Sequence, residues 1–159
     1  MTKFLVLFLS LAAAAFANPA PNFGWDAAGG KLDSLKSVRG VSVCLLVARS
    51  PQEKSFREEA KKLEELYQDF AARKVVFAAA FLEDAGGSIP SDIPFAVASN
   101  GPGVIADYGV KQAFNIIVIS PNGEIDLQTD KVITASRLRD LVINSAPLQS
   151  DERKPQPGQ

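Results

Sequence analysis

At 159 residues, with 17 Lys or Arg against 18 Asp or Glu and 47% apolar side chains, the sequence has the size and composition of one globular domain. It contains no histidine and one cysteine, which excludes histidine-based triads, histidine metal ligands, thiolate zinc sites, a Cys-x-x-Cys couple and an intramolecular disulfide. The near balance of charge leaves no electrostatic footprint for nucleic acid or for an anionic membrane surface.

The first residues read as an export signal. Met1-Thr2-Lys3 is a short basic start, Phe4 to Phe16 is apolar, and Ala15-Phe16-Ala17 supplies small residues at a cleavage site. The apolar run is about 13 residues, short of the roughly 20 that span a bilayer, so cleavage after Ala17 is expected rather than anchoring. Residues 1–17 are therefore read as a signal peptide, and the mature chain as secreted or periplasmic with no membrane attachment. Losing Lys3 leaves 16 basic against 18 acidic side chains.

Residues 18–40 form an N-terminal arm. Asn18-Pro19-Ala20-Pro21-Asn22 predicts an extended, mobile lead-in. Phe23, Trp25 and Leu32 are the first residues able to pack, and Asp33 to Ser37 predicts a helical turn before Arg39-Gly40. Trp25 is the sole tryptophan; a clamp holding the arm on the core is favoured over a ligand platform.

A strand, a long helix and a second strand follow. Val41 to Ala48 is a continuous apolar run, as in a strand buried on both faces, and it carries Cys44 at its middle. A reactive cysteine needs access and a nearby cation or helix N-terminus, and Cys44 has neither in sequence. Ser50-Pro51, with Glu53 three residues after Ser50, predicts a capped helix start. Phe56, Ala60, Leu63, Tyr67 and Phe70 recur at helical spacing with Leu66 beside them, which makes one apolar face. On the polar face Glu58 with Lys62 and Lys61 with Glu65 are i,i+4 pairs of opposite charge. Residues 71–74 are expected to close the helix.

Val75 to Leu82 is the second buried strand, and its three consecutive alanines call for an element packed closely over it. The acidic, glycine-containing stretch from Glu83 to Ser88 follows at the strand's carboxyl end, where α/β sheets place ligand sites, but its spacing fits no calcium loop. Phe95 to Ala98 is a short apolar run. Asn100-Gly101-Pro102-Gly103 reads as a turn with weak anion-cradle character, before a helical turn at Val104 to Tyr108. Asn115 to Ser120 is a third strand, Pro121-Asn122-Gly123 a hairpin turn, and Glu124 to Thr129 the returning strand. Thr134 caps a last helix facing inward through Leu138, Leu141 and Val142. Residues 147–159 are polar, Pro-containing and expected to be disordered.

Tyr108-Gly109-Val110, then Ile117-Val118-Ile119-Ser120-Pro121-Asn122-Gly123, resembles the thioredoxin-like superfamily in its Tyr-Gly-Val, short gap, apolar strand and Asx-Gly turn. The resemblance implies an α/β three-layer sandwich over residues 41–146, its mixed central sheet flanked by helices, parallel at the centre and antiparallel at Asn115 to Thr129. It departs at both functional positions: Glu53 to Phe56 stands where the Cys-x-x-Cys would be, and Phe114 where the cis-proline would be. Within that superfamily the chain is similar to a family of secreted thioredoxin-like domains of unknown function, found in bacteria and in animal matrix proteins. That likeness rests on Phe114, Gly123, Ile143-Asn144, Ala146-Pro147-Leu148 and Glu152. The family's Lys-Asp before the turn glycine and its tail methionines and arginine are absent here.

No residue set for catalysis, for a cofactor or for a metal stands out. The sequence predicts a redox-inactive thioredoxin-like module that binds a protein partner or plays a structural part. The alternative is a thiol-dependent oxidoreductase or peroxiredoxin-like protein using Cys44.

Overall fold

The computed structural model describes residues 18–27, 29–70, 73, 75–83 and 88–145. The expected signal peptide, the 84–87 part of the acidic loop and the tail lie outside the described residues.

A five-stranded mixed sheet in the order β5-β4-β3-β6-β7 organises the chain. Its strands are β3 (Ser42–Ala48), β4 (Val75–Phe81), β5 (Ala96–Val97), β6 (Phe114–Ile119) and β7 (Ile125–Thr129). β3 pairs in parallel with β4, and β4 with β5; β3 meets β6, and β6 meets β7, antiparallel. Every residue of β3 is buried, because side chains alternate between two covered faces. Cys44, Leu46 and Ala48 face helices α1 (Lys54–Phe70) and α3 (Ala135–Ser145). Val43, Leu45 and Val47 face helix α2 (Gly101–Asp107) and the two-stranded ribbon of β1 (Gly24–Asp26) and β2 (Leu32–Ser34). This is the three-layer α/β arrangement expected from the sequence.

The apolar stripe of α1 is the core of one face: Phe56, Ala60, Leu63, Leu66 and Phe70 are buried, and Tyr67 is partly so. The alanines of β4 make room for α2 on the other face. A Cβ at Gly101 would run into the backbone of Phe81, so only glycine lets α2 sit this close.

Several local expectations are corrected. The lead-in is docked, not mobile: Ala20 donates its N–H to the Gly123 carbonyl at 2.9 Å, and Ile125 donates to Asn18 at 2.9 Å. Pairing with the end of β7 satisfies backbone groups that a free arm would leave to water. Residues 33–37 begin as strand β2 and continue as a turn, because Asp33 pairs with Trp25 across the ribbon. Leu32 is 71% exposed, since only one face of a two-stranded ribbon can lie on the core; Leu35 is buried instead. The helix starts at Lys54, not after Ser50: Glu53 donates to the Ser50 carbonyl at 3.1 Å and Gln52 to Ser50 Oγ at 3.3 Å, which makes a turn ahead of the helix. On the polar face Glu58 pairs with Lys54 at 3.7 Å, while Lys62 reaches the Ile133 carbonyl.

Candidate functional site

The turn from β3 into α1 brings Glu53, Lys54, Ser55 and Phe56 to the carboxyl end of the central strands. Where the resemblance would put a Cys-x-x-Cys, this corner holds an aromatic residue in the core. Phe56 is fully buried, its ring centroid 5.1 Å from Phe81 and 5.7 Å from Phe95. Phe114 opens β6 opposite Ala48 and is also buried.

Cys44 sits one layer below. It lies between Phe77 of β4 and Val118 of β6, and none of its surface is exposed. Burial pushes its thiol well above the ordinary range, and the carboxyl of Glu59 pushes the same way. Burial and the raised pKa both disfavour the exposed thiolate that a nucleophile needs.

Glu59 is the buried group that sequence reasoning missed. It projects from α1 into the core with none of its surface exposed. Its Oε2 accepts the Ile133 N–H at 3.1 Å, and its Oε1 has no hydrogen-bond partner. Burial pushes its pKa up to about 7, against the opposing pull of the Ile133 N–H and the Lys62 charge. Spacing held the signal: Glu59 is three residues after Phe56 and four before Leu63, on the apolar face.

One surface feature at this end of the sheet is a groove of about 290 Å³ on the α2 side. Val47, Ala48, Leu82, Ile105 and Val110 give it an apolar floor, and Arg49, Lys111 and Gln112 give it polar edges. Arg49 Nε pairs with Glu83 at 2.8 Å, and Leu82 is half exposed. A second cleft of about 560 Å³ continues past Leu82 to Val97 and Pro102.

Other residues singled out in the sequence have structural parts. Trp25 is 5% exposed, packs 5.6 Å from Phe23 and bridges to Ala98, so it clamps the arm. Tyr108 donates its hydroxyl to the Pro21 carbonyl at 2.8 Å, which ties the arm to the end of α2; burial, then Asp107, raises its pKa. The expected turn at Asn100 to Gly103 is instead the start of α2: Asn100 is its N-cap and Gly101 to Gly103 its first turn, and Asn100 Oδ1 accepts the Gly103 N–H at 3.0 Å, filling the cradle itself. Among the described residues no three His, Cys, Asp or Glu side chains cluster to hold a metal.

No family model matches the chain, and no curated protein matches it. Solved structures do. A thiol:disulfide interchange protein of the thioredoxin family from Chlorobium tepidum superposes with a TM-score of 0.64 at 19% identity, covering 84% of this chain and 99% of that one. The thioredoxin domain of a thiol-disulfide oxidoreductase from Bacteroides vulgatus gives 0.62 at 17%, over 82% and 99%. The mitochondrial 2-Cys peroxiredoxin of Plasmodium falciparum gives 0.60 at 17%, over 80% and 92%. At such identities the likeness is one of architecture, and the chain has the thioredoxin-like fold.

Proposed function

We propose that this protein is an exported, redox-inactive thioredoxin-like module that works by binding a protein partner. One observation carries the reading: Phe56 fills the corner where this fold presents a redox thiol, and it is fully buried there. The one cysteine is inside the sheet, with its thiol disfavoured as an anion by burial. What remains at the functional end of the fold is a half-apolar groove with a cationic edge, a surface suited to an extended peptide with apolar anchors. Export rests on the sequence of residues 1–17; among the described residues no helix is long and apolar enough to cross a membrane.

The second reading is a thiol-dependent oxidoreductase or peroxiredoxin-like protein using Cys44. Its support is the likeness to interchange proteins and to a peroxiredoxin. Insulin reduction and peroxide consumption separate the two. The binding module gives neither above a Cys44→Ala control, whereas Cys44-dependent turnover promotes the second reading. Capture of a partner from the medium or envelope, lost in Leu82→Asp, identifies the groove as the binding surface. Mass spectrometry of exported material tests the address, with an N-terminus at Asn18 expected; retention of residues 1–17 overturns the cleavage.

A further inference from the structure

Glu59 is the one charged side chain that is buried among the described residues, and it is not idle. Its Oε2 accepts the Ile133 N–H at 3.1 Å, and Lys62 Nζ donates to the Ile133 carbonyl at 3.2 Å. Two side chains of α1, three residues apart, therefore hold both polar backbone groups of one residue. That residue lies in the segment between β7 and α3, and its side chain packs into the cluster beneath α1. Thr134 follows at once and starts α3, with Leu138 donating to the Thr134 carbonyl at 3.0 Å.

We propose that Glu59, Lys62 and Ile133 form a latch that fixes the β7–α3 segment on α1, and that ionisation of Glu59 loosens it. The geometry sets the direction. One polar oxygen stays unpaired in either form, but ionisation adds a buried charge with a single N–H donor and no water, which costs more than the unpaired neutral group. Lifting the segment admits water to the charge. The groups that face Glu59 do not offset this. From β3 comes the Cys44 thiol, which stays neutral. The core that α1 covers is otherwise apolar, with Ile116 and Val118 from β6 and Leu138 and Val142 from α3. Lys62 favours the anion, but its pull is smaller than the cost of burial, and its ammonium donates to the Ile133 carbonyl rather than to the carboxyl.

A proton held to about pH 7 in the closed state, and to about 4.5 once the carboxyl is hydrated, couples opening to pH. The opening constant should climb by up to about tenfold per pH unit between about 5 and 7 and then level off. Amide hydrogen exchange by NMR on the labelled protein reads this directly, as the Ile133 protection factor against pH. A fall of that size at Ile133, with its protection factor staying well below that of the Val118 amide in the central sheet and Glu59→Gln flat, supports the latch. A protection factor independent of pH in the wild type, or an equal fall in Glu59→Gln, overturns it. Should Glu59→Gln not fold, the wild-type Glu59 carboxyl and Ile133 amide shifts decide. A shared inflection near pH 7 supports the latch, and a carboxyl inflection below about 5 overturns it.

Discussion

Phe56 and Phe81 meet edge to face, their ring centroids 5.1 Å apart, at the point where helix α1 leaves the carboxyl end of the sheet. The contact joins the first turn of α1 to the last residue of β4, with Phe95 closing over it at 5.7 Å from Phe56. An aromatic pair in this arrangement adds about 0.5–1.5 kcal/mol beyond area burial. Of the four residues at the corner where the resemblance would put a Cys-x-x-Cys, Phe56 is the one that joins the core. Phe56→Ala is therefore expected to cost about 3–5 kcal/mol in urea unfolding. A change below about 1 kcal/mol would mean that the ring is not in the core.

Leu63 lies in the middle of the same helix face and is fully buried. Leu63→Ala should cost about 2–5 kcal/mol, the range for emptying a packed leucine site. Denaturant midpoints at constant slope measure it, and a loss under about 0.5 kcal/mol would remove α1 from the core.

How far the sequence carried this fold depended on periodicity. The stripe from Phe56 to Phe70 and the unbroken apolar runs at Val41 and Val75 announce a helix between two buried strands, because each pattern has a single economical burial. The ribbon of β1 and β2 was not legible. Each strand has three residues, too few to show alternation, and the ribbon is held by pairing to distant positions such as Ala98. The docked lead-in was equally hidden, since its partners are backbone groups at Gly123 and Ile125, which no side-chain pattern reports. At the candidate site, the missing thiols were plain in the residues Glu53 to Phe56. The burial of Glu59 was not, because a carboxylate beside Glu58 reads as solvated surface until the helical phase is counted.

Tyr108 holds the arm through one hydroxyl, donated to Pro21 at 2.8 Å. Tyr108→Phe keeps the ring against Phe23, 6.2 Å away, and removes only that bond. A loss of about 0.5–1.5 kcal/mol is expected, together with faster proteolytic cleavage ahead of Phe23. Unchanged cleavage would show that the backbone pairing at Gly123 and Ile125 anchors the arm alone.

The buried acid gives the protein a pH-dependent stability of known sign. Glu59 keeps its proton to about pH 7 when folded, against 4.5 for an unperturbed glutamate. Raising the pH through this window deprotonates the unfolded chain first, so this group's contribution is fully present below about 4.5 and is lost by about 7. The stability of wild type relative to Glu59→Gln should fall by up to about 3 kcal/mol across that range and stay level above it. Parallel pH profiles for the two proteins would show that Glu59 is hydrated in the native state.

The last test concerns Cys44, and it decides between the two functional readings. A catalytic thiol must be reachable and partly ionised near neutral pH. Cys44 meets neither condition: it is fully enclosed by β4, β6 and the α1 face, and both burial and the Glu59 carboxyl favour the protonated form. Native protein at neutral pH is therefore expected to react with a thiol reagent only as fast as it opens, and immediately once unfolded in denaturant. Cys44→Ala leaves a cavity of about one sulfur atom and should lower stability by about 1–2 kcal/mol without altering partner capture. Rapid labelling of the native protein, with peroxide or disulfide turnover that disappears in Cys44→Ala, would overturn the binding-module reading. Slow labelling in the native state, fast labelling in the unfolded state and no turnover would support the binding-module reading.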